Sequence, residues 1–212
     1  MKKLKLSLVA VALLVATAAS AQFSFGVRGG VNMSNIQTDV QGQSGSPKLG
    51  FNIGVLTDFD FNHNMAIQSG LFFTTKGSRE NVYIEAPGAG GNGPFERFRR
   101  TTNLLYFKIP VHFAYKVDVS PGTRIVFHGG PYIAYGVGGS FRENGEKLDR
   151  SVFGCRVDQH QPFDWGLGIG VGAEFDRILV GIGWDFGLFN ISNVAGVREV
   201  NQNAFLTVGY RF

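Results

Sequence analysis

From Phe163 to Phe175 the chain alternates without a break. Phe163, Trp165, Leu167, Ile169, Val171, Ala173 and Phe175 are interleaved with Asp164, Gly166, Gly168, Gly170, Gly172 and Glu174. A period of two describes a strand with unlike faces, because successive side chains of an extended chain point to opposite sides. The same period governs Phe23–Met33 and Asn203–Phe212. Across these three segments 17 of 18 positions on one face are apolar, Gly29 being the exception. Of the 16 positions on the other face, only Phe205 is both apolar and large. Five further segments follow the rule less strictly: Leu49–Phe59, Met65–Lys76, Asn103–Val117, Arg124–Val137 and Ile178–Phe189. The pattern predicts eight strands.

The connections alternate as well. Long ones (Ser34–Lys48, Gly77–Thr102, Gly138–Pro162, Ile191–Gln202) take turns with short ones (Asp60–Asn64, Asp118–Thr123, Asp176–Arg177). An up-and-down antiparallel barrel in an outer membrane shows this order, with tight periplasmic turns and longer extracellular loops. Each strand is long enough to cross when tilted. An unpaired backbone edge is excluded from hydrocarbon, so the first and last strands are expected to pair.

Which face meets the surroundings is decided by glycine and by the aromatics. A small barrel has little interior volume, so its inward face needs small or polar residues. A water-facing exterior would carry Thr, Lys and Glu, since glycine weakens a strand. Here the polar face is rich in glycine. Phe23, Phe25, Phe59, Tyr115, Phe127, Phe175, Tyr210 and Phe212 thread to one rim. Phe51, Phe73, Phe107, Tyr135, Phe163, Trp165 and Phe186 thread to the other. Two such rings match the girdles of membrane barrels, whereas a soluble barrel with an apolar interior would scatter its aromatics through the middle. Charged residues are 17% of the chain, below the roughly 25% of soluble domains.

Residues 1–21 read as a secretory signal. Lys2, Lys3 and Lys5 precede the apolar run Leu6–Val15, and Ala19-Ser20-Ala21 is a small-residue cleavage site. Export through the Sec pathway with cleavage after Ala21 leaves 22–212 as one barrel domain. Loss of three lysines lowers the formal net charge from +4 to +1, so the basic pI supports no nucleic-acid partner. The one cysteine, Cys155, cannot form an internal disulfide. No spacing suggests a metal or cofactor, and none is expected.

Several local pieces then add up in order and spacing. They are Phe23-Ser24-Phe25-Gly26-Val27-Arg28-Gly29-Gly30 with Asn32 following, and Gln68-Ser69-Gly70-Leu71 continuing to Lys76-Gly77. Leu105-Tyr106-Phe107-Lys108-Ile109-Pro110, Gly130-Pro131-Tyr132, Asp164-Trp165-Gly166-Leu167 and Gly209-Tyr210-Arg211-Phe212 complete the set. Over the whole mature length the chain resembles the Bacteroidota outer-membrane β-barrel proteins called the porin family, or PorT-like proteins. Lys108 departs from the pattern, which more often has a carboxylate there. The resemblance implies an eight-stranded barrel whose last strand carries an aromatic signal for the barrel-assembly machinery, here Tyr210 and Phe212.

The inward register collects Arg28, Asn32, Asn52, Gln68, Lys76, Lys108, His112, Asp164, Glu174, Asp185 and Arg211. Buried charge has to be paired, so a polar network among Arg28, Gln68, Lys108, Asp164, Glu174 and Asp185 is expected to fill the lumen. In the second long connection Arg97, Arg99 and Arg100 are candidates for lipopolysaccharide phosphates, by bidentate hydrogen bonds. Asn190-Ile191-Ser192-Asn193 distantly resembles the His-x-Ser-Asn segment of lipid A deacylase barrels. Asn190 stands where the histidine would be, and neither His112 nor His128 falls at the rim with Ser192. The expected role is therefore non-enzymatic, structural or surface-interacting. The expected partners are outer-membrane lipid, lipopolysaccharide and the assembly machinery. A transport or secretion accessory, a narrow channel and a lipid-modifying hydrolase are the alternatives.

Overall fold

The computed structural model describes residues 23–39, 45–85 and 95–212, with side chains of 81–98 left out of the description. The expected signal segment, 1–21, lies outside the described residues. The described residues form nine strands: β1 (Phe23–Thr38), β2 (Ser46–Asn62), β3 (Met65–Glu85), β4 (Phe95–Ser120), β5 (Thr123–Glu143), β6 (Glu146–Lys147), β7 (Phe163–Phe175), β8 (Ile178–Gly187) and β9 (Glu199–Arg211). Eight of them form an antiparallel ring in sequence order, and β6 is a two-residue hairpin arm on β5. The ring closes where β1 pairs β9 from Gly26↔Arg211 to Thr38↔Glu199. No edge amide or carbonyl then faces lipid along this seam, as hydrocarbon demands.

The apolar face is the outer one. Ile53 is 59% exposed, Val208 56% and Ile182 54%, all on different strands near mid-barrel. Phe23 packs on Phe59 at one rim, with ring centroids 4.9 Å apart. Phe73 lies between Phe51 (6.1 Å) and Phe107 (5.5 Å) at the other. Among the described residues no helix is long and apolar enough to cross a membrane; the crossing elements are strands.

Turns on the Phe23 side are tight. Gly122, at φ 74°, follows Pro121 between β4 and β5, and Asp176, at φ 50°, begins the two-residue link between β7 and β8. Both residues take the left-handed conformation, which such reversals use.

At the opposite end several strands outrun the periodicity. β3 and β4 stay paired from Gly77↔Asn103 up to Glu85↔Phe95. The expected loop Gly77–Thr102 is therefore largely a strand ladder, and Arg97, Arg99 and Arg100 belong to β4. β1, β2 and β5 extend in the same direction. The reason is that the apolar-polar period reports a face against lipid. Above the membrane the backbone ladder continues with no apolar face to mark it.

Two register shifts occur on this side, between Pro47 and Asn52 on β2 and at Leu105/Tyr106 against Gly138/Gly136. The second inserts Val137 and rephases β5, so that Phe141 turns inward and Arg142 outward.

Candidate functional site

The lumen is filled by paired charges in tiers. In the outer half Lys76 Nζ lies 2.9 Å from Asp164 Oδ2, which also accepts from Asn201 Nδ2 at 3.0 Å. Lys76 sits over the ring of Tyr132, 4.7 Å from its centroid. In the middle Lys108 Nζ reaches Asp185 Oδ2 at 2.7 Å. Asn203 Nδ2 donates to the same oxygen at 3.1 Å, and Asn203 Oδ1 accepts from Asn32 Nδ2 at 2.6 Å. Lys108 thus has a carboxylate opposite it. In the inner half Arg211 holds both oxygens of Glu174, at 2.6 and 2.9 Å, and also binds Asp58. Arg124 adds a 2.7 Å bridge to Glu174, and Lys116 one of 2.7 Å to Asp60.

Of the residues expected to form the network, Lys108 and Asp185 meet directly. Asp164 and Glu174 meet Lys76 and Arg211. Gln68 donates to Asp58 at 3.4 Å. Arg28 pairs with none of the others and borders two small cavities, of about 20 and 40 Å³. Cavities of that size hold one or a few waters. Asp58 and Lys116 share the register of the inward residues named from sequence, and the period could have found them.

His112 and His128 stack with centroids 5.2 Å apart and Nδ1 atoms 3.0 Å apart. Adjacent strands bring them together, and sequence separation alone does not show it. Among the described residues no group of three or more His, Cys, Asp or Glu is placed to hold a metal. Cys155 is exposed in the β6–β7 connection.

At the outer mouth a cavity of about 240 Å³ is bordered by Glu80, Arg100, Phe141, Arg150, His160, Ser192 and Glu199, among others. Arg100 turns into it and binds Glu143 through Nε and Nη2, at 3.1 and 2.9 Å. Ser192 forms an antiparallel bridge with His160, whose Nδ1 is 3.3 Å from Glu199 Oε2. The histidine beside Ser192 is therefore neither His112 nor His128. Ser192 Oγ accepts a hydrogen bond from the Val194 amide at 3.2 Å.

On the outer wall a broad depression of about 660 Å³ is bordered by Lys48, Arg79, Arg99, Thr101, Asn103, Arg142, Asn144 and Gly145. Arg99 thus separates from Arg100, one facing outward and the other into the mouth. The side chain of Arg97 lies outside the described residues. Lys48 precedes the membrane-crossing stretch Leu49–Phe59. Its pKa is pushed below that of an ordinary lysine, first by burial and then by Arg79 and Arg142.

At the inner rim Tyr210 and Phe212 pack edge to face with ring centroids 6.0 Å apart, and Phe212 is 70% exposed.

A family model described as an outer membrane protein beta-barrel domain matches residues 17–193. No curated relative matches the chain. Among solved structures the chain is similar to the attachment invasion locus protein Ail of Yersinia pestis, at 14% identity and a TM-score of 0.40, over 90% of this chain and 99% of that one. It is similar to the outer membrane protein OprG of Pseudomonas aeruginosa at 12% identity, TM-score 0.46, over 89% and 95%. The Neisserial surface protein A matches at 13% identity, TM-score 0.43, over 88% and 95%.

Proposed function

The chain belongs to the outer membrane protein beta-barrel domain family, and from that premise we propose a non-enzymatic barrel that inserts in the outer membrane, keeps its lumen closed and acts through its outer surface. Within the family, the pieces from Phe23–Gly30 to Gly209–Phe212 favour the Bacteroidota porin-family, PorT-like branch. Sec export with cleavage after Ala21 delivers the mature barrel. The assembly machinery reads Tyr210 and Phe212, and the partners in place are outer-membrane lipid and lipopolysaccharide.

The observation that carries this reading is the filled lumen. Tiers of ion pairs from Lys76–Asp164 to Arg211–Glu174 occupy the axis, and the two cavities bordered by Arg28 hold only about 20 and 40 Å³. Eight strands leave room for little besides side chains. The test is conductance in a planar bilayer, using barrel whose band shifts on heating. A closed membrane is expected, and stable ohmic steps from wild-type barrel would replace this reading with a channel.

A second reading rests on Ser192, His160 and Glu199 at the mouth. A serine with an imidazole beside it and a carboxylate behind that imidazole is the order of groups a hydrolase uses. In the present geometry Ser192 Oγ is engaged by Val194 N, which favours a structural role. Incubation with lipid A is expected to release no fatty acid. Release by wild-type barrel that Ser192→Ala abolishes would establish the hydrolase instead.

A further inference from the structure

The depression on the outer wall is a cross of same-face positions on neighbouring strands. Arg79 on β3 stands opposite Thr101 on β4, and Thr101 stands opposite Arg142 on β5. Alternation along β4 puts Arg99 and Asn103 on the same side as Thr101. Lys147 on β6 pairs with Arg142 and extends the row. Lys48 borders the depression from β2. Like charges brought together on one face of a sheet oppose folding. Among the described residues none of Lys48, Arg79, Arg99 and Arg142 has an ion-pair partner. The two carboxylates adjacent in the chain turn to the other face: Glu80 accepts from Ser78 Oγ at 3.3 Å, and Glu143 is held by Arg100.

The height of the cluster on the barrel narrows what neutralises it. Leu105 ends the apolar run of β4, and Asn103 is the next outward position. Lys48 directly precedes Leu49, which is 72% exposed on the lipid face. The cations therefore begin where the apolar belt stops, on the wall and not in the mouth. A group filling this depression stands upright in the outer leaflet, with its acyl chains along Leu49, Phe73 and Leu105 and its polar head against the arginines. Guanidinium pairs fit phosphate oxygens by parallel hydrogen bonds, and Thr101, Asn103 and Asn144 offer neutral partners for sugar hydroxyls.

We propose that Lys48, Arg79, Arg99 and Arg142 form a binding site for the phosphorylated headgroup of an outer-leaflet glycolipid. The proposal rests on the outer-membrane reading above and deepens its lipid partner into a site. Of the expected Arg97, Arg99 and Arg100 it keeps Arg99 and joins to it Lys48, Arg79 and Arg142, so that the four residues stand on four strands.

Folded full-length barrel in mixed micelles is titrated with phosphorylated lipid A, with the same lipid A dephosphorylated, and with inorganic phosphate. Lipid retained per heat-shifted barrel is read by native mass spectrometry. Phosphorylated lipid A is expected to bind about ten-fold more tightly than the dephosphorylated form. The double variant Arg79→Ala/Arg142→Ala is expected to lose that preference, while Arg150→Ala, at the mouth, keeps it. Added salt is expected to weaken the preference. Equal binding of the two lipids overturns the site, and so does a preference that survives the double variant. Full displacement by millimolar inorganic phosphate overturns the lipid as occupant, leaving a free-anion site. The variants are scored only as heat-shifted barrel, and Arg79→Gln/Arg142→Gln serves if the alanine pair does not fold. A closed, heat-shifting barrel that ignores phosphorylated lipid removes this site alone; a protein with no heat shift removes the membrane reading itself.

Discussion

Lys76 on β3 and Asp164 on β7 meet at 2.9 Å inside the barrel, with both side chains wholly excluded from solvent. They are 88 residues apart in the chain and come from strands on opposite sides of β4 and β5. Neither charge can reach water, so each exists because the other does.

Breaking that pair from one side should be costly. Lys76→Met leaves Asp164 with only Asn201, and loses about 3–5 kcal/mol. Lys76→Met/Asp164→Leu is expected to recover most of the loss. The midpoint of the heat-shifted band in a urea series measures both. A single variant as stable as wild type would mean that the charge on Asp164 is relieved some other way.

The stacked histidines depend on the missing side chains across from them. A Cβ on Gly168 would lie 2.7 Å from His112 Nε2, and one on Gly170 would lie 2.6 Å from His128. Gly168→Val should therefore overpack the lumen by about 1–3 kcal/mol. Adding His112→Ala should return part of it, because the ring that clashes is gone. Equal losses in the single and double variants would place the clash on Asp185 Oδ1, 3.1 Å from that Cβ.

The lipid-facing assignment predicts a depth dependence. Ile182→Arg, in the middle of β8, is expected to cost about 2–4 kcal/mol, and Val119→Arg, at the β4–β5 turn, about 0–1. Reversible unfolding from lipid vesicles measures both. Similar costs at the two positions would argue for a water-facing exterior.

Tyr210 and Phe212 can be separated from ordinary rim aromatics by where the effect falls. Tyr210→Ala/Phe212→Ala should reduce the amount of barrel assembled in cells several-fold. Phe23→Ala/Phe25→Ala, at the same rim, should reduce it less. In purified refolding the two pairs should behave alike. A matching loss in both cell experiments would reduce the last strand's aromatics to girdle residues.

Much of this was legible without coordinates. Strict alternation in Phe23–Met33, Phe163–Phe175 and Asn203–Phe212 determined that the chain makes strands with unlike faces. Glycine on the polar face and aromatics at strand ends determined which face meets lipid. The inward positions of Lys76, Lys108, Asp164, Glu174, Asp185 and Arg211 followed from the same parity, since a period of two leaves a side chain only two directions.

What parity cannot give is the partner across the barrel. That Lys108 meets Asp185, that Lys76 meets Asp164, and that His112 lies on His128 are decided by the register between strands. Hydrogen-bond ladders set that register collectively. The phase above the membrane was decided only in the tertiary structure too. One residue inserted at Val137 sends Arg142 outward to join Arg79 and Arg99, while Arg100 turns inward to Glu143. A bulge costs little and leaves no mark in the apolar pattern, yet it moves every later side chain on its strand to the other face.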